Sequence, residues 1–156
     1  MNRRRIAVII SGILLLAATT FAQDREKKIK QSDLPAAVQK TVTAESKGAT
    51  VRGFSKETEK GQTYYEAALT VNGHTKDISI DTNGKVVEIE EEVPFDSLID
   101  TVKQGLQAKA GKGKLGEIES LTKNGKLVAY EAKVTTGTKK SEVQVGPDGK
   151  PLAHEE

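Results

Sequence analysis

Tyr64-Tyr65-Glu66-Ala67-Ala68-Leu69-Thr70-Val71-Asn72-Gly73 is the stretch on which the fold turns. Tyr65, Ala67, Leu69 and Val71 alternate with Glu66, Ala68 and Thr70, and Asn72-Gly73 follows at once. Period-two alternation with one polar side predicts a strand buried on one face, and Asn-Gly predicts a two-residue hairpin. The pattern returns later: Val128, Tyr130, Ala132 and Val134 alternate with Ala129, Glu131, Lys133 and Thr135. Tyr65-Glu66-Ala67 recurs as Tyr130-Glu131-Ala132, and Asn83-Gly84-Lys85 as Asp148-Gly149-Lys150. Leu34, Val38 and Val42 recur as Leu98, Val102 and Leu106. A recurrence of this length predicts two domain-sized copies rather than solenoid units.

Working outward, each copy opens on a helix. Ser32 or Asp33 can cap the first, Pro35 suits its first turn, and Leu34, Ala37, Val38 and Val42 share a face that ends near Gly48. In the second, Asp96 or Ser97 is the cap, Leu98, Val102 and Leu106 form the face, and Gly111-Lys112-Gly113 ends it. Strands are expected around residues 50–56 and 115–121, then through Ile78 and Ile80, matched by Val143 and Val145, and through Val87 and Ile89. The second copy has only Leu152 for that last strand. The expectation is an α+β fold of two tandem repeats, each one helix packed on an antiparallel sheet of about four strands. Their bounds are 32–93 and 94–153, behind a flexible polar leader at 23–31. Two separate cores of about 60 residues are marginal, so the copies are expected to pack together or to run their sheets into one.

The N-terminus reads as a secretory signal. Arg3, Arg4 and Arg5 precede an apolar run over residues 6–18, and Thr20-Phe21-Ala22 offers small residues before a cut after Ala22. A membrane anchor is the other reading, but the 17 apolar-rich residues at 6–22 lie at the bottom of the spanning range and no basic stop follows. The expected location is periplasmic or secreted, with no membrane attachment after cleavage of residues 1–22. The whole chain carries 24 basic and 22 acidic residues; removing the leader leaves 21 against 22. That balance gives no bulk charge for nucleic acid. With no cysteine, the core alone must hold the fold.

The order Leu34-Pro35-Ala36-Ala37-Val38, Tyr64-Tyr65-Glu66-Ala67, a hairpin, then Asp81-Thr82-Asn83-Gly84-Lys85-Val86 resembles the PepSY-like domains. It is similar in particular to the tandem, β-lactamase-inhibitor-like group. The first copy carries the resemblance over about residues 32–92; the second keeps the Pro147-Asp148-Gly149-Lys150 turn but lacks the Leu-Pro opening. The resemblance implies an extracytoplasmic, non-enzymatic protein that binds or inhibits a peptidase or other secreted hydrolase. In such inhibitors a sheet surface and a turn meet the enzyme, and the turns matching by position are Asn72-Gly73-His74 and Asp81 to Gly84.

The residues point the same way. The histidines are His74 and His154, there is no thiol, and no Gly-x-Ser-x-Gly elbow exists, so nucleophilic catalysis and structural zinc lack their parts. No catalytic residue, metal or cofactor is assigned. Asp81-Thr82-Asn83-Gly84 begins like a calcium loop, but strand pattern resumes at once, as a hairpin turn requires. Gly111-x-Gly113-x-x-Gly116 copies a dinucleotide fingerprint in reversed context, after a helix and before a strand. The acidic run of Glu88, Glu90, Glu91 and Glu92 reads as a strand with a solvated face or a charged edge, or as a surface for a cation or basic partner. Tyr64 is either an exposed anchor for a partner or a cross-strand packing residue. The candidate partner-binding residues are Tyr64, Glu66, His74, Glu131 and Lys133, with turn candidates Asn72, Gly73, Asp81, Asn83 and Gly84. A small-ligand or cation-binding module is the alternative function.

Overall fold

The computed structural model describes residues 26–59 and 61–156. The expected signal, its cut after Ala22, and Lys60 of the Lys60-Gly61 turn lie outside the described residues. The elements in chain order are β1 (Lys27–Ile29), a 3-10 turn, α1 (Ala36–Glu45), β2 (Thr50–Glu59), β3 (Gln62–Val71), β4 (His74–Asp81) and β5 (Val86–Glu92). A second 3-10 turn, α2 (Asp100–Ala110), β6 (Lys114–Lys123), β7 (Lys126–Thr136) and β8 (Lys139–Val145) follow. All eight strands form one antiparallel sheet in sequence order, β1 to β8. Among the described residues no helix is long and apolar enough to cross a membrane.

This architecture corrects the expectation of two tandem helix-on-sheet repeats. β5 pairs with β6 from Glu88↔Lys123 to Glu92↔Glu119, so the strands on either side of α2 belong to one ladder. Two four-stranded sheets would each have left an unpaired row of N–H and C=O groups at that point, and joining them removes both edges. Alternation reports which face of a strand is buried and says nothing about which strand lies beside it, so the joint was not written in the pattern. The acidic run is corrected likewise: β5 is an interior strand, not a charged edge. At the other end of the chain, polar Lys27–Ile29 adds to β2 as a three-residue edge strand within the stretch expected to be a flexible leader.

Both helices lie on one face of the sheet. Leu34, Val38 and Val42 pack on Tyr65, Ala67, Leu69, Ile78 and Ile80. Leu98, Val102 and Leu106 pack on Ile118, Ala132 and Val145. The two clusters are separate because the helix side of the central strands turns polar between them. There Lys76, Glu91 and Ser120 lie in one cross-strand row, with Lys76 Nζ 3.9 Å from the Glu91 carboxylate. The inward residues of β3 and β4 fall as the alternation predicts. In β7 Ala129 lies on the face away from the helices, as the alternation has it, but it is fully buried there, paired with buried Leu121 beside a bulge.

Two turns fix the helices to the sheet. Gly84 (φ +85°) lies against α1, where an added Cβ would sit 2.7 Å from the Ala37 carbonyl oxygen, and Thr41 Oγ1 donates to the Gly84 carbonyl at 2.6 Å. Gly149 (φ +80°) meets the Thr101 carbonyl of α2 still more closely, and Gly105 of α2 faces it. Only glycine combines positive φ with such an approach.

Candidate functional site

With both helices on one side, the other face of the sheet is the candidate surface. Its residues follow from register. Since Tyr65, Ala67 and Leu69 point to the helices, Tyr64, Glu66 and Ala68 point away. One cross-strand row reads Lys28, Ser55, Glu66, Ser79, Glu88, Lys123. The next reads Gly53, Ala68, Asp77, Glu90, Leu121, Ala129. A third, toward β8, holds Glu92, Glu119, Glu131 and Gln144.

The face is rich in carboxyl groups whose ionisation is opposed by burial and by one another. Burial, then Glu88, Glu119, Glu131 and Asp77, push Glu90 up to about 7. Burial, then Asp77, Glu26 and Glu57, push Glu66 up to about 7, with Arg52 acting against them. Glu88 and Glu119 are also raised by burial, opposed by Lys123 and Lys133 respectively. The cations sit around these groups. Arg52 is thrown out by a bulge between Val51 and Gly53; its guanidinium donates to the Asp77 carboxylate at 2.6 Å and its Nε to the Leu69 carbonyl at 3.0 Å. Lys133 Nζ binds the Glu117 carboxylate at 2.7 Å, and Lys123 lies 3.8 Å from Glu88.

The candidate residues divide into three groups. Tyr64, Glu66, Glu131 and Lys133 share the open face by register. Tyr64 is half-buried, donates to the Gln62 side-chain oxygen, and lines a hollow with Glu57, Ser79, Glu88 and Lys123. Glu131 accepts from the Gln144 amide at 2.7 Å. Asn72 and Gly73 make the expected tight hairpin, both at positive φ, and His74 beyond them is exposed with Nδ1 3.5 Å from the Glu92 carboxylate. The Thr75 backbone N–H, foremost, and His74 hold the Glu92 carboxyl below its ordinary range. Asp81, Asn83 and Gly84 form the third group. The Asp81 carboxylate accepts the Asn83 and Lys85 N–H groups at 2.8 and 2.9 Å, and the turn is pinned to α1 through Gly84.

Ser55, Arg52 and Asp77 were absent from the sequence candidates, and Glu90 entered only as a member of the acidic run. For Glu90 the signal was present, in the Glu88/Glu90 alternation with Val87 and Ile89. Arg52 is aimed by a bulge, which leaves no such mark. The segment after β8 was missed as well. It comes back over the open face: Leu152 lies beside Gly146, the Glu156 N–H donates to Gln144 Oε1 at 2.8 Å, and the Glu156 carboxylate lies 3.9 Å from Lys123. Among the described residues no group of three or more His, Asp or Glu side chains is placed to hold a metal ion. Chemically, the arrangement can receive hydrogen-bond donors and positive charge.

No family model matches the chain, and no curated protein matches it. Solved structures do. A DUF2874 family protein from Bacteroides ovatus shares 22% identity over 76% of this chain and 84% of its own, with a TM-score of 0.60. A protein from Bacteroides eggerthii described as periplasmic shares 17% identity over 76% and 86%, at 0.63. A BLIP-like protein from Bacteroides fragilis shares 21% identity over 78% and 85%, at 0.57. Likeness at these identities is a likeness of fold, and it is to the DUF2874 and BLIP-like structures rather than to PepSY domains in particular. The chain therefore has the fold seen in the DUF2874 and BLIP-like proteins, some of them described as periplasmic.

Proposed function

We propose that this chain is a non-enzymatic, extracytoplasmic binding module, freed by cleavage after Ala22, whose open sheet face docks on a basic surface of a secreted protein of the hydrolase or peptidase class. The observation that carries the reading is the open face itself. Glu66 and Glu90 are half-buried among other carboxyls and hold protons near neutrality, so a partner that brings positive charge is rewarded by their ionisation. Tyr64 supplies an aromatic contact at the rim, and Glu131 and Lys133 extend the face toward β8. The likeness to structures described as periplasmic and to a BLIP-like protein supports both the location and the mode of action.

The test is capture from an extracytoplasmic extract with residues 23–156 as bait, against a folded control bait carrying Tyr64→Ala and Glu131→Lys. A protein taken by the first bait and lost by the second is then purified and titrated at rising salt. The expected result is a hydrolase or peptidase whose affinity for the bait falls steeply with salt. A protein held equally by both baits, or held without salt dependence, removes the open face as the binding surface.

A further inference from the structure

We propose that the pocket on the open face between β1, β2 and β3 is a receptor for one ammonium group, the lysine side chain of a docked protein. It rests on the protein-binding reading above and names the chemistry that reading leaves open.

Two polar groups line the pocket without hydrogen-bond partners among the described residues. Ser55 is 4% exposed, and its Oγ is one of them. Directly across the β2–β3 ladder is Glu66, whose carboxyl makes no hydrogen bond or ion pair with the described residues. A buried hydroxyl left unpaired costs free energy, and structures keep few such groups without a reason. Ser55 and Glu66 line the same pocket, of about 210 Å³. The side of the pocket next to them is made by Gly53 and Ala68, paired across the strands, and a Cβ added to Gly53 would meet nothing within 4 Å. Small residues there leave a slot for methylene groups, while a hydroxyl and a carboxyl group line it from directly opposed strand positions. That set suits a compact ammonium with three rotatable donors better than a planar guanidinium, which looks for two parallel acceptors.

The surroundings set the sign of the charge. Glu26 and Lys28 come from the β1 side, Arg52 and Glu57 from β2, and Asp77 from β4. Arg52 is committed to Asp77 and to the Leu69 carbonyl. Lys28 is the pocket's own cation, across β1–β2 from Ser55, and an arriving ammonium shares the pocket with it. Burial and the neighbouring carboxyls raise Glu66 to about 7, so an arriving ammonium replaces a proton.

The test is NMR on the labelled protein with three probes: an acetylated, amidated Gly-Ser-Lys-Ser-Gly peptide, its norleucine counterpart, and n-butylammonium. The lysine peptide is expected to move the Ser55, Glu66 and Ala68 amides and to lower the Glu66 titration midpoint by about one unit. The norleucine peptide is expected to do neither. Glu66→Gln keeps the shape and should weaken the lysine peptide about tenfold or more, Ser55→Ala less so, and Lys28→Met should strengthen it. No shift at about 10 mM lysine peptide, or shifts centred on Glu90, overturns the proposal. Binding of n-butylammonium as tight as the peptide overturns the lysine source and assigns the pocket to free amines. These titrations use no partner protein, so they can fail while the capture experiment succeeds, and the reverse.

Discussion

Glu66 and Glu90 hold protons that an ordinary surface glutamate has released well below neutral pH. Each binds its proton more tightly in the folded chain than in the unfolded one, where the value is near 4.5. The fold therefore carries no penalty from them below about 4.5. It loses stability as pH rises from there to about 7, and the loss levels off above. After allowing for solvent screening of half-exposed groups, each contributes a loss on the order of 1 kcal/mol. Urea unfolding at about pH 5 and about pH 8 should show the protein more stable at the lower value, with the difference reduced in Glu90→Gln. Asp81 and Asp148 act in the opposite sense. Chiefly the Lys85 backbone N–H for Asp81, and the Lys150 side chain for Asp148, hold these carboxyls below 3.8. Their stabilisation is present above that value and is lost as pH falls through the folded pKa. Glycine positions give a second contrast. Gly84→Ala combines a left-handed backbone with a collision against Ala37 and should cost about 2–4 kcal/mol, whereas Gly73→Ala, with open space around it, should cost about 1 kcal/mol by thermal unfolding.

Among the elements, the apolar helix faces and the hairpins were legible because each is a local pattern, but the expected caps Ser32 or Asp33 and Asp96 or Ser97 fall in 3-10 turns, and the helices start after Pro35 and Ile99. Leu34, Val38 and Val42 repeat at helical spacing and all are buried, and Asn72-Gly73 makes the turn its chemistry demands. The β5–β6 pairing was not legible, since it joins Glu88–Glu92 to residues some thirty positions on across α2, and no local pattern encodes a neighbour. The recurrence of Tyr-Glu-Ala and Asn/Asp-Gly-Lys gave two tandem copies, and left open whether they pack together or share one sheet, for this reason. What recurs is the way a helix is fastened by a glycine turn, at Gly84 and again at Gly149, within one sheet. Of the candidate site, Tyr64, Glu66, Glu131 and Lys133 could be placed on one face because alternation decides facing. Arg52 could not, because the bulge between Val51 and Gly53 changes the count. The outer strand β8 is protected by charge: Lys139, Lys140 and Glu142 are exposed along it. Lys140→Val together with Glu142→Val should leave the far-ultraviolet spectrum unchanged and raise self-association in light scattering.

For the molecule as a whole, two apolar clusters hang from a single hydrogen-bonded sheet. Leu69→Ala in one and Leu106→Ala in the other should each cost about 2–5 kcal/mol, since both side chains are fully buried. The shared ladder should spread that loss. Hydrogen exchange of β7 amides is expected to quicken in Leu69→Ala, although Leu69 belongs to the cluster under α1. Exchange confined to β2, β3 and β4 in that variant would mean that the halves open independently.

The segment after β8 offers a way to watch the open face at work. The chain has no cysteine, so His154→Cys creates a single thiol between Leu152, beside Gly146, and the Glu156 contact with Gln144. His154 is exposed, so a solvent-sensitive dye there would sit at the rim of the open face. A visitor that settles on the face and displaces this segment would change the dye's surroundings, and its emission would shift in step with occupancy, giving a binding signal from the protein alone.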